Sequence, residues 1–207
     1  MEVLGRLLAL LAVLLVGTAL RTTGILDAHR TERLNAATYY VALPALVFVA
    51  TYDQDVGEIA SVGLAVGVAV VLFSTALLAW GIHRNRSPDA RRSVAIVQSY
   101  HSNLGYLGVP LIAATFDSAV TAIASVILGL GALVQVPLTV FLLVTINAAD
   151  ADVSFVRELG RLARNPVLLA LVAGLAVGWV GVGVPGSVAL GLDGLGSLAL
   201  PLALLCV

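Results

Sequence analysis

Six consecutive polar side chains interrupt an otherwise apolar stretch near the middle of the chain. The stretch is VAIVQSYHSNLGYLGVPLIAATF (94–116), and its polar run extends from Gln98 to Asn103. On a continuous helix Gln98, Ser102 and Gly105 would lie on one face. Polar groups are costly in apolar surroundings and usually mark a binding site or a pathway. We therefore expect this run to bind a polar ligand.

A proline follows the polar run and predicts a broken helix. Pro110 lacks an N–H group and frees the carbonyl of Tyr106, while Gly105 and Gly108 make unwinding cheap. We expect a second half-helix that begins near Pro110 and points its N-terminal amides at the membrane midplane, where they suit an anion. A simple proline kink, with the polar residues bonded to neighbouring helices, is the alternative. It explains Pro110 but not six polar positions in a row.

Composition indicates the class of protein that holds this site. Of 207 residues, 60% are hydrophobic and 11% are charged, against roughly 25% charged in a soluble domain. One cysteine, Cys206, excludes a disulfide framework and a cysteine-based zinc site. The net charge of −1 gives no basic footprint for nucleic acid. We predict a polytopic membrane protein without metal, cofactor or nucleic-acid partner, and not an enzyme.

Seven apolar stretches are long enough to cross a bilayer, which takes about 20 residues each. They are too continuous for barrel strands, so an all-α transmembrane fold is predicted. The predicted spans are 3–20, 34–50, 56–82, 94–116, 118–147, 165–184 and 187–207. A signal peptide is the alternative for the first span, which lacks a convincing cleavage site.

The arginines predict the orientation of these spans. Ten of the eleven lie in alternate loops, after the first, third and fifth spans. Arginine-rich loops are cytoplasmic, so the N-terminus is predicted outside the cell membrane. The ten residues are Arg21, Arg30, Arg33, Arg84, Arg86, Arg91, Arg92, Arg157, Arg161 and Arg164.

An internal repeat predicts how the spans are arranged. ALPALVF (42–48) matches ALPLALL (199–205), and each follows a long apolar helix, LLALLAVLLVG (7–17) and VLLALVAGLAVG (167–178). Five spans separate the copies, so the copies insert with opposite orientation, as in secondary transporters. We predict a first five-helix repeat at 1–147, a cytoplasmic linker at 148–164 and the start of a second, inverted repeat at 165–207. Three further helices would complete it.

Four weaker signals lie elsewhere in the predicted spans. Gln135, two residues before Pro137, either lines the same cavity or bonds a neighbouring helix. Within the polar run, His101 could carry a proton, although a plain hydrogen-bonding role is the favoured interpretation. The two GLAVG stretches, at 63–67 and 174–178, are predicted to serve helix packing alone.

The chain resembles the auxin efflux carrier family, which includes plant auxin carriers and prokaryotic malate or malonate permeases. The motifs that carry the resemblance are LNAATYYVALPALVF (34–48), NLGYLGVPL (103–111), NPVLLALVAGLAVG (165–178) and LGSLALPLALL (195–205). The resemblance implies a ten-helix fold of two inverted five-helix repeats, like the bile-acid sodium symporters. It also implies that Asn103 contacts substrate and that Pro110 marks a helix crossing, with Gln135 as a further polar contact.

These observations predict a secondary transporter for a small organic anion, such as a mono- or dicarboxylate. Gln98, Ser102, Asn103 and Gln135 are the predicted substrate contacts, and alternating access of two repeats is the predicted mechanism. A proton- or sodium-coupled symporter that uses His101, and a membrane scaffold that transports nothing, are the alternatives. The lipid bilayer is the expected surrounding, and a homodimer is compatible with the related architecture.

Overall fold

Every regular element in the described part of the chain is a helix. The computed structural model describes residues 2–147 and 155–206, and the predicted all-α class is confirmed for these ranges. In chain order the helices are α1 (Glu2–Thr22), α2 (Ala28–Thr51), α3 (Val56–Ile59), α4 (Val62–His83), α5 (Asp89–Tyr100), α6 (104–115), α7 (Ser118–Asn147), α8 (Phe155–Ala163), α9 (Pro166–Val180) and α10 (Gly186–Leu205).

Within those residues, four helices are long and apolar enough to cross a membrane: α2, α4, α7 and α10. They match the second, third, fifth and seventh predicted spans. The first and sixth predicted spans contain the shorter apolar stretches Leu8–Thr22 and Pro166–Val180. The fourth is divided between α5 and α6. The first predicted span lies inside α1, which is 21 residues long, the sixth extends past the 15-residue α9, and the fourth is broken as predicted, so the count of seven spans stays a prediction.

Side-chain caps set the starts of two spans, and both differ from the predicted bounds. The Asp27 carboxylate accepts a bond from the Arg30 amide at 2.8 Å, so α2 begins six residues before its predicted start. The Ser61 hydroxyl accepts a bond from the Leu64 amide at 3.1 Å and begins α4. Capping satisfies amides that have no partner in the first turn. Because caps lie outside the apolar stretch, hydropathy alone misplaces these boundaries.

The predicted linker at 148–164 is partly helical. Residues 148–154 lie outside the described residues, and Phe155–Ala163 form α8. Its last turn carries Arg161, which is one of the arginines assigned to the cytoplasmic side.

The chain divides into two compact units that each combine distant segments. The first unit contains Met1–Ile59, Gly105–Ser125 and Pro166–Val207, and the second contains Ala60–Leu104 and Val126–Asn165. The segments matched by the repeat all lie in the first unit, whereas the whole polar run lies in the second.

Glycines in the first unit allow reciprocal packing between the matched segments. Helix α1 packs on the last turns of α10, and α9 packs on the second half of α2. A Cβ on Gly17 would lie 2.8 Å from the carbonyl oxygen of Leu205, and one on Gly178 would lie 3.0 Å from that of Gln54. The first distance is shorter than real Cβ contacts and the second is tighter than most, and a Cβ on Gly174 would lie 3.1 Å from the carbonyl oxygen of Phe48 in α2, so the first helix of each matched pair packs closely against the second helix of the other pair.

The second unit is built on the packing of α4 against α5. Its buried core contains Ala76 and Ala79 from α4, Ile96 and Tyr100 from α5, and Ile146 from α7. Small alanines let α4 approach α5, and the larger side chains fill the space beside them. This packing holds the end of α5, where the helix breaks.

Candidate functional site

The helix that carries the polar run breaks after Tyr100. Residues 101–103 are not helical, and α6 then begins with a π-helical segment, Leu104–Gly108. The α-helical part of the second half begins at Val109, next to Pro110 as predicted, but the non-helical residues lie earlier than the glycines expected to unwind. Gly105 and Gly108 are helical rather than unwound. The faces expected for one continuous helix also end at Tyr100.

Proline explains why the helix continues through position 110. Pro110 lies in the first turn of the α-helical part, Val109–Thr115, where a missing N–H costs little. The preceding π-helical turn widens the helix and accommodates the ring. The same arrangement occurs in α2, where the π-helical segment Thr38–Ala42 precedes Pro44. A π-helical turn thus precedes both prolines, but non-helical residues directly precede only the turn at Leu104–Gly108.

Polar side chains of α5 and the break pair with α7 along what we call the polar seam. Residues later in α5 and the break pair with residues earlier in α7, so the two segments are antiparallel. The Asn147 amide donates to Ser93 Oγ at 3.1 Å. Thr139 Oγ1 lies 2.9 Å from the Tyr100 hydroxyl and 3.0 Å from His101 Nδ1. The seam continues past the end of α5, where Gln135 reaches the break.

Gln135 is the most constrained side chain of the polar seam. It is 3% exposed, and its Nε2 donates to the Tyr100 carbonyl at 3.3 Å and to Ser102 Oγ at 3.2 Å. The end of a helix leaves carbonyls without an intrahelical partner, and Gln135 satisfies one of them. A carbonyl can only accept a hydrogen bond, so the amide nitrogen must face it. Neither bond uses the Oε1 oxygen of Gln135.

A cavity of about 390 Å³ opens beside this pair within the second unit. Ser102 and Gln135 supply its polar side chains. Cavities that hold small molecules are mostly apolar, with few polar groups, and measure roughly 300–1,000 Å³. The lining residues are Gly63, Leu64, Gly67, Val68, Val71 and Leu72 of α4, Ser102 and Leu104 at the break, and Ile127 and Gln135 of α7.

The predicted site residues are only partly brought together. Ser102 and Gln135 line the cavity and share a hydrogen bond. Gln98 and Asn103 are exposed and are not among the lining residues. His101 is exposed, with its Nδ1 bonded to Thr139. The roles of these residues in binding stay predictions.

Three residues of the site were missed by the sequence interpretation. Thr139 lies four residues after Gln135, so both occupy one face of α7, and that spacing could have identified it. Gly63 and Gly67 face the cavity, although their motif was expected to pack against another helix. Nothing lies within 4 Å of a Cβ built on Gly67. The packing prediction is confirmed for 174–178, where Gly174 is buried against Thr51, and it stays a prediction for 63–67, where a Cβ on either glycine meets no other helix within 4 Å among the described residues.

Beyond the break, the chain forms a second polar contact, which lies in the first unit. The Tyr106 hydroxyl donates to the side-chain oxygen of Asn35 in α2. Asn35 lies just before the π-helical segment of that helix. The two helices with π-helical turns are thus joined by a hydrogen bond close to those turns.

Comparison with known sequences places the chain in a family. The sequence model of the family described as "Membrane transport protein" matches residues 2–207. The chain belongs to this family. It is the family of the auxin efflux carriers, so the resemblance drawn from the motifs is confirmed. The chain is accordingly a membrane protein, in agreement with its four membrane-length helices in the described ranges.

A relative from Methanothermobacter thermautotrophicus is described as an uncharacterized transporter. It is 29% identical over 115 residues, which is 54% of this chain and 37% of the relative. The matched part of the chain thus spans well under half the length of that relative. The similarity agrees with membership of a transport family and leaves the substrate unnamed.

Proposed function

We propose that the transporter is a secondary carrier for a small organic anion, such as a mono- or dicarboxylate, that binds at the helix break. The observation that carries the proposal is the cavity whose polar groups are Ser102 and Gln135. An interrupted helix beside a polar cavity is a common arrangement for substrate sites in membrane carriers. Membership of a membrane transport family supports it.

The hydrogen-bonding capacity of this pair suits one end of an organic acid. Ser102 Oγ accepts from Gln135, so the hydroxyl proton of Ser102 is available to donate to a carboxylate oxygen. The side-chain oxygen of Gln135 is the acceptor of this pair, suited to a hydroxyl or an acid proton. The lining residues include no charged side chain. An uncharged site of this kind binds an anion through directed hydrogen bonds rather than through an ion pair.

An inverted repeat is part of the same proposal. Its support is the reciprocal packing of α1 on α10 and of α9 on α2, which two copies related by a pseudo-twofold axis would produce. The arginine distribution supports an N-terminus outside the cell. A homodimer is a further expectation of this architecture.

Uptake of radiolabelled acids into proteoliposomes that contain the full-length protein tests the proposal. We expect uptake of malonate or of short monocarboxylates that falls at least about tenfold in Ser102→Ala combined with Gln135→Leu. Ser99→Ala is the matched control, because Ser99 is exposed on α5 just before the break. Its hydroxyl donates to the Ala95 carbonyl of its own helix at 2.8 Å. Undiminished uptake in the double variant would remove the site assignment, and no uptake by the unaltered protein would remove the function.

Proton coupling through His101 is the second candidate, and one observation favours it. Thr139 Oγ1 bridges His101 Nδ1 and the Tyr100 hydroxyl. A protonated His101 must donate through Nδ1, whereas a neutral ring can accept there, so a change of charge would reverse the hydroxyl directions along the bridge. Coupling predicts that collapse of the proton gradient abolishes concentrative uptake and that His101→Gln removes this sensitivity. Uptake indifferent to the gradient contradicts it.

A further inference from the structure

The glycine face of α4 forms one wall of the cavity, and residues of the break and of α7 form the rest. The lining positions of α4 are 63, 64, 67, 68, 71 and 72, which repeat at the spacing of one helical face. Positions 63 and 67, one turn apart, contribute no side chain to this wall because both are glycine. For a Cβ on Gly63 the nearest atom is Ser61 Oγ at 3.9 Å, and a Cβ on Gly67 meets nothing within 4 Å.

Larger residues occupy the next turn of the same face. Val71 and Leu72 line the cavity one turn beyond Gly67 and Val68, so no glycine faces the cavity at that turn. The polar pair Ser102 and Gln135 lies in the same cavity, joined by a hydrogen bond from Gln135 Nε2 to Ser102 Oγ. A ligand held by that pair would extend its apolar part over Gly63 and Gly67, because these two lining positions have no side chain.

We propose that Gly63 and Gly67 determine the size of the substrate, by leaving room for the apolar part of an organic acid whose polar end binds Ser102 and Gln135. This inference rests on the proposed function for the identity of the ligand. It assigns α4 a role in selectivity that neither its hydropathy nor the family match supplies. In an apolar pocket, one methylene changes discrimination by roughly 10–200-fold, so a side chain added at position 67 should have an effect of that order.

The first experiment measures uptake of acetate, butyrate and hexanoate by proteoliposomes with the full-length protein and its Gly67→Ala and Gly67→Val variants. We expect Gly67→Val to lower hexanoate uptake at least about tenfold more than acetate uptake, with Gly67→Ala between the two. Gly81→Val is the control, because Gly81 also has nothing within 4 Å and does not line the cavity. Equal effects on all three acids would overturn the proposal.

A second experiment reads the cavity without any transported substrate. In a Cys206→Ser background, Ser102→Cys is labelled with methanethiosulfonates that carry methyl, butyl and hexyl groups. Gly67→Val should slow the hexyl reagent at least about tenfold relative to the methyl reagent, and Gly81→Val should not. An unchanged ratio would overturn the proposal. Labelling by the hexyl reagent alone, with a charged aqueous reagent excluded, would assign the cavity to a lipid acyl chain and would also overturn it.

The two experiments separate this inference from the proposed function. Size-dependent labelling without uptake of any acid removes the carboxylate function and keeps Gly67 as the residue that sets cavity size. Uptake of acids with an unchanged size ratio in both assays removes the inference and keeps the function.

Discussion

Helices α4 and α9 contain the same pentapeptide, GLAVG, in two different surroundings. In α9, a Cβ on Gly174 would overlap Thr51 Oγ1 and would lie 3.1 Å from the carbonyl oxygen of Phe48. In α4, a Cβ on Gly67 would meet no atom within 4 Å. One copy is pressed against the backbone of α2, and the other forms the wall of a cavity.

The comparison shows what a small-residue motif in a membrane helix indicates. Paired glycines four residues apart remove the side chains from one stripe of the helix, so that something else can approach the backbone. In α9 the neighbour is another helix, and in α4 we propose that it is substrate. The motif therefore predicts close approach, and the surroundings decide what approaches.

The largest effect on stability is expected at the closed copy, which is the GLAVG stretch of α9 packed against α2; the copy in α4 is the open one. Gly174→Ala places a methyl group onto the buried Thr51 hydroxyl, and overpacking of this kind costs about 1–3 kcal/mol. We expect a lower melting temperature and less monodisperse protein in detergent. Thr51→Ala combined with Gly174→Ala should recover part of the loss, because it removes the overlapping oxygen. A melting temperature unchanged by Gly174→Ala would contradict the packing of α9 on α2.

The next effect is expected at the polar end of the open copy's cavity. Gln135→Leu leaves the Tyr100 carbonyl and Ser102 without the bonds they receive, and an unsatisfied buried group costs about 1–3 kcal/mol. The melting temperature and the rate of uptake should both fall. Ser102→Ala keeps the bond from Gln135 to Tyr100, so it should lower uptake with little change in unfolding temperature. Equal destabilisation by the two substitutions would contradict this division of roles.

A smaller effect is expected at Gly178, at the other end of the closed copy. Its Cβ would lie 3.0 Å from the Gln54 carbonyl and 3.2 Å from that of Tyr52. Both belong to the loop that follows α2 rather than to the helix itself, so the backbone can shift. We expect Gly178→Ala to cost less than Gly174→Ala, on the order of 1 kcal/mol. A reversed order in the measured melting temperatures would show that the loop is the more rigid contact.

The smallest effect on stability is expected at the open copy. Gly67→Ala adds a methyl group in empty space, and alanine favours a helix interior over glycine by roughly 0.8–1.0 kcal/mol. The melting temperature should stay the same or rise slightly. A drop comparable to that of Gly174→Ala would mean that the wall of the cavity closes against another element, and the comparison between the two copies would fail.

Much of the fold could be predicted because hydropathy is a property of the sequence alone. The four membrane-length helices follow from apolar stretches of sufficient length, and the broken fourth span follows from its polar run. The position of the break could not be predicted from Pro110. A π-helical turn precedes the proline, so the helix continues there. It ends instead at Tyr100, where the side chain of Gln135, a residue distant in sequence, donates a hydrogen bond to the free carbonyl.

The candidate site was predictable in part for the same reason. Ser102 and Gln135 stand out as polar residues among apolar ones, and the structure joins them. Gln98 and Asn103 stand out equally, yet they are exposed and do not line the cavity. Thr139 is a common residue in an apolar helix, and only its bonds to Tyr100 and His101 distinguish it.

The sequence by itself determined that this chain is helical, that it belongs in a membrane, and that it is a member of a transport family. These properties depend on apolar length and on motifs read along the chain. Tertiary structure alone decided which GLAVG copy is filled and which is open. Identical pentapeptides have identical propensities, so the difference comes only from the segments that fold against them: α2 lies against α9, and a cavity lies against α4.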